Sequence, residues 1–82
     1  MNTKNQKYYE SLSAEEKMLL TLRDELYGGS WERMIKDLND RSRGRPYIFK
    51  LVNRIKEDLK RIEKLMEYEK KHNINLSQLK TE

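Results

Sequence analysis

The chain has no cysteine, a single histidine, one proline and three glycines, and each scarcity closes a class of structure. Without cysteine there is no disulfide staple and no thiolate metal site, and a reducing, cytoplasmic setting is the expected one. The lone His72 excludes every zinc arrangement that needs two imidazoles from one chain, so no metal or other cofactor is expected. Long apolar runs are missing as well. The first twelve residues carry Lys4, Lys7 and Glu10, which predicts neither a secretory signal nor a membrane span and hence no membrane partner.

Catalytic groups are equally scarce. A nucleophile and base cannot be paired from a chain without cysteine whose one histidine lies near its end. The carboxylate pairs Glu15-Glu16, Asp24-Glu25 and Glu57-Asp58 are sequence neighbours, which on a helix point about 100° apart instead of into one site. Gly28-Gly29 follows no strand and forms no phosphate-cradling loop. No catalytic residue is identified, and the chain is not expected to be an enzyme.

Charged residues make up 39% of the chain and apolar ones 35%, but the apolar ones recur at regular spacing, which argues against global disorder. The length suits one domain with a thin core, burying about 60 to 65% of its unfolded surface. The net charge of +4 is uneven: residues 41 to 64 hold nine Lys and Arg against three Asp and Glu, while residues 1 to 40 hold six against eight. Such a field attracts phosphate or an acidic partner, or complements the acidic half of the same chain.

The periodicity predicts an all-α, three-helix domain, two short N-terminal helices packed on one long C-terminal helix. Residues 1 to 11 are polar apart from Tyr8 and Tyr9, and a mobile arm is expected there. Ser13 and Glu16 form a capping box that starts a helix over 13–27, with Met18, Leu19, Leu22 and Leu26 as its apolar stripe. Gly28 and Gly29 close it. Ser30 caps a second helix over 30–40, with Trp31, Met34, Ile35 and Leu38 on one face, where Trp31 is read as core. Pro46 sits where its missing N–H costs nothing, at the start of a long helix over 46–72. A loose turn is expected in the tail, 73–82, where Ile74, Leu76 and Leu79 stand among polar residues.

Two surfaces are candidates for function. Along the long helix Ile48, Val52, Ile55, Leu59, Ile62 and Met66 are spaced 4, 3, 4, 3, 4, a heptad seam flanked by Tyr47, Leu51 and Leu65. That helix spans about 37 Å and the two short ones about 20 and 15 Å, so neither alone covers the seam. The seam is expected either to be internal core or to pair with another chain, as a coiled-coil homodimer or with a protein partner. A small protein–protein interaction module is the leading expectation for function.

The second surface is the segment Arg41-Ser-Arg-Gly-Arg-Pro-Tyr-Ile-Phe-Lys50. Arg41, Arg43, Arg45, Tyr47, Lys50 and Arg54, with Arg61 and Lys64 further along the outer face, are candidate contacts for nucleic acid or an acidic partner. The competing reading pairs these arginines with Asp37 and Asp40, tucks Tyr47 and Phe49 against the end of the core, and leaves the helix face solvated, with Glu57 and Asp58 interrupting any phosphate track; Arg54–Asp58 and Glu57–Arg61 stand at i, i+4 on the surface of the long helix. Glu69 and His72 share the i, i+3 spacing of di-iron carboxylate ligands, but one copy supplies too few ligands, and a solvated helix terminus is the expectation.

Overall fold

The computed structural model describes residues 3 to 79, and its described residues form four α-helices and one 3-10 turn, with no strand among them. The helices are α1 (Thr3–Glu10), α2 (Ala14–Leu26), α3 (Trp31–Gly44) and α4 (Phe49–His72), followed by the 3-10 turn Leu76–Leu79. The extra helix lies where a mobile arm was expected. Eight residues cannot hold a helix alone, and α1 persists because it is packed. Asn5 and Tyr9 are buried, and the Tyr68 hydroxyl donates to Asn5 Oδ1 at 2.7 Å. The Tyr8 ring stacks on Tyr68 with centroids 3.6 Å apart, and Gln6 donates to the Leu79 carbonyl at 3.2 Å. Residues 80 to 82 of the expected tail, and residues 1 and 2, lie outside the described residues.

At the start of α2 the capping box is present in both directions: Glu16 N–H donates to Ser13 Oγ at 3.2 Å, and Ser13 N–H donates to Glu16 Oε1 at 2.8 Å. The buried face of that helix differs from the predicted stripe. Glu16, Leu19, Leu20 and Arg23 are buried, whereas Met18 and Leu26 are 58% and 67% exposed. At 100° per residue the buried face is turned by about 100° from the apolar one. Two charged residues cause this, because each finds partners inside.

Arg23 is the deeper of the two, with 2% of its side chain exposed. Its Nη1 donates to both oxygens of Glu69 at 2.9 Å, its Nη2 to Asn75 Oδ1 at 2.7 Å and Ser77 Oγ at 2.9 Å, and its Nε to Asp24 at 3.0 Å. The guanidinium also lies 4.5 Å from the centre of the Trp31 ring. Glu69 in turn accepts from Trp31 Nε1 at 2.7 Å and from the Leu76 amide at 2.8 Å. A buried charge is tolerated only when paired and fully hydrogen-bonded, and no buried side-chain polar atom among the described residues lacks a partner. Far from being a solvated terminus, Glu69 joins α2, α3, α4 and the 3-10 turn.

Two turns set this cluster up. Gly28 and Gly29 take φ of +61° and +80° after α2, where the Gly29 amide donates to the Arg23 carbonyl at 2.9 Å. Asn73, with φ of +52°, ends α4 in the left-handed conformation that Asn tolerates best among residues with a Cβ, and folds Asn75 to Ser77 back onto Arg23.

The core gathers at this end: Tyr9, Leu12, Leu19, Leu20, Trp31, Met34, Ile62, Leu65 and Leu76 form one cluster. From there α3 and α4 run out together as a hairpin, and the molecule extends 47 Å along its long axis against 24 and 21 Å across. Between Asn39 and Arg61 no side chain belongs to the core cluster, and Ile55 alone is buried. The heptad seam is therefore divided. Ile55 and Ile62 are buried, while Ile48, Val52, Leu59 and Met66 are half-buried. The hairpin also turns later than predicted. α3 continues through Arg41 and Arg43 to Gly44, and Pro46 and Tyr47 lie in the turn before α4 begins at Phe49.

Candidate functional site

The free end of the hairpin is built from the last turn of α3, the turn itself and the first turns of α4. Residues 41 to 56 carry six Lys and Arg and no Asp or Glu, so the remainder of a chain of net charge +4 sums to −2. Arg41, Arg43, Arg45, Lys50 and Arg54 are all exposed. Among the described residues only Arg41 of these makes an ion pair, with Asp37 one helical turn back, at 3.3 Å and with both side chains in solvent. Exposed pairs of this kind contribute little and leave the cation accessible.

Asp37 also accepts from the Tyr27 hydroxyl, and that hydrogen bond, with burial, raises the tyrosine pKa. Asp40, the other acid expected to neutralise the arginines, forms no ion pair among the described residues. Tyr47 and Phe49 do not close the core. They stand 72% and 76% exposed, because the core ends well short of the turn that carries them.

Further along α4 the positive face stops. Arg61 is held by Asp58 at 2.9 Å, which replaces both predicted surface pairs, Arg54–Asp58 and Glu57–Arg61, with one at i, i+3. Lys64 reaches Glu16 at 2.9 Å and belongs to the packed end. The Lys64 ammonium is raised in pKa chiefly by that hydrogen bond. For Glu16, burial works upward, but donation from the Ser13 amide and from Lys64 outweighs it and holds the carboxyl below its usual value. The candidate residues thus separate into a free group, Arg43, Arg45, Tyr47, Lys50 and Arg54 with a loosely paired Arg41, and a neutralised one, Arg61 and Lys64.

Two structural details favour anions at the same end. Ile48 at the N-terminus of α4 offers no side-chain cap, so the positive pole of a 24-residue helix adds to the local potential. A Cβ placed on Gly44 would meet nothing within 4 Å, so the backbone there is open to approach.

From Arg43 an open groove of about 870 Å³ runs back between α3 and α4, floored by Trp31, Ile35 and Met66 and edged by Lys36 and Lys70. Sequence reasoning missed these two lysines, which come from segments far apart in the chain. The i, i+4, i+7 relation of Trp31, Ile35 and Leu38 was the signal that α3 faces α4, but it does not locate a cation on the partner helix.

No family model matches the chain, and no curated protein or solved structure does either. The functional reading therefore rests on this geometry. No helix among the described residues is long and apolar enough to cross a membrane.

Proposed function

We propose that this chain is a non-catalytic helical binding module that docks on nucleic acid through the tip of its α3–α4 hairpin. The observation that carries the reading is the coincidence of unpaired cations with solvent-exposed aromatic rings: Arg43, Arg45, Lys50 and Arg54 beside Tyr47 and Phe49, within sixteen residues that contain no acid. Cations neutralise phosphates and release counterions, which supplies affinity without any base-reading motif. The packed end pairs its charges inward and joins α2, α3 and α4.

The test is a titration of fluorescently labelled oligonucleotide at two or more salt concentrations. Four phosphate contacts on a single strand predict that log K falls with log salt with a slope of about −3. Micromolar protein that shows no salt-sensitive binding contradicts the reading.

A second reading, contact with another protein chain or with a second copy, is favoured by a separate observation. Ile48, Leu51, Val52 and Leu59 remain half-buried and outside the core cluster. A two-helix hairpin cannot cover its own seam on both flanks. Sedimentation over a concentration series tests this, and a monomer at every concentration contradicts self-pairing.

A further inference from the structure

We infer that the nucleic acid taken at the hairpin tip is single-stranded, with bases stacked on Tyr47 and Phe49 while Arg43, Arg45, Lys50 and Arg54 hold the flanking phosphates. The inference rests on the nucleic-acid reading above and adds the form of the strand. A surface that only neutralised phosphates would have no use for two aromatic rings, and here both are about three-quarters exposed. Leaving such rings in water is unfavourable, and an unpaired base, whose face is apolar, removes them from it.

A duplex offers the wrong surface. Its bases present edges in the grooves and hide their faces in the stack, so a ring at the tip has nothing to lie on. The open space beside Gly44 lets a strand approach the backbone between Arg43 and Arg45. Arg41 and Arg45 line the same recess as Gly44, and stacking with cation contact is the combination that sequence-tolerant single-strand binders use.

The experiment compares anisotropy titrations of the full chain against a labelled single strand of about twelve nucleotides, a size within the range of single-strand sites, and against the duplex of the same sequence. The double variant Tyr47→Ala/Phe49→Ala is measured in parallel, with poly-L-glutamate of matched charge as competitor. The wild-type chain should prefer the single strand by roughly tenfold or more, the contribution of one or two stacked bases. The variant should lose that preference while keeping the salt slope and, since both rings are exposed, the helical circular dichroism and melting temperature.

Equal affinity for strand and duplex, or a variant that binds the strand as the wild type does, overturns the stacking inference and leaves nucleic-acid binding standing. Absence of salt-sensitive binding to both, or competition by poly-L-glutamate as effective as that by unlabelled oligonucleotide, overturns the nucleic-acid reading itself.

Discussion

The two ends of this molecule treat charge in opposite ways. At the packed end Arg23 makes five hydrogen bonds and meets Glu69, Asp24, Asn75, Ser77 and the face of Trp31, while Lys64 meets Glu16. At the hairpin tip Arg43, Arg45, Lys50 and Arg54 meet solvent. Composition treats these cations alike. What separates them is whether the topology delivers a carboxylate. Glu69 of α4 reaches Arg23, and the turn at Asn73 adds Asn75 and Ser77, whereas among the described residues no carboxylate comes within ion-pair distance of Arg43, Arg45, Lys50 or Arg54. One end uses its charges to hold the chain together, and the other leaves them available to something else.

The comparison breaks most visibly at Arg23. Arg23→Ala strands the Glu69 carboxylate in the interior, and removing one partner of a buried pair costs about 3 to 5 kcal/mol. In a domain this small that is a large share of the total stability, so chemical denaturation should show a variant that is largely or wholly unfolded. A smaller loss is expected from Gly29→Ala, because a Cβ at a φ of +80° is strained. The cost is about 1 to 2 kcal/mol, which should appear as a fall of several degrees in melting temperature.

A third test uses pH. The Glu16 carboxyl is held below its unfolded value, so its contribution is present above the unfolded pKa, near 4.5, and is lost as pH falls below it. Glu16→Gln should flatten the stability profile below about pH 4.5 and weaken the chain modestly at neutral pH, since the Lys64 partner is more than half exposed. The smallest effect on stability belongs to the tip. Arg43→Gln/Arg45→Gln should shift the denaturation midpoint by no more than about 0.5 kcal/mol equivalent, as for other exposed sites, while weakening oligonucleotide binding and lowering its salt slope by roughly 1.4, the share of two phosphate contacts on a single strand.

Much of the helical layout was legible because it obeys local rules. The capping box at Ser13, the glycine pair after α2 and the end of α4 at His72 appear where capping and left-handed turns place them. Three features were not legible, each for a stated cause. α1 carries little apolar signal, and its order comes from Asn5 and Tyr8 meeting Tyr68, 60 or more positions away, and from the burial of Tyr9. The buried face of α2 was misplaced because hydrophobic periodicity ranks Arg23 and Glu16 as surface residues, and their partners lie 46 and 48 positions away.

The third was the start of α4. Pro46 is compatible with a first helical turn, yet the chain spends Pro46 and Tyr47 in the hairpin turn. At the tip, the charge run was visible in the sequence, but its freedom from internal partners was not, since ion pairing depends on which acids the fold brings near.

The central claim is that binding is confined to the hairpin tip while the packed end serves the fold. Its most direct test is a titration of the isotopically labelled chain with a short single-stranded oligonucleotide, followed by amide chemical shifts. The account predicts shifts concentrated between residues 41 and 54, with the amides around Arg23, Glu69 and Leu76 unmoved. Shifts centred on α1, α2 or the Arg23 cluster, with residues 41 to 54 unchanged, would contradict it.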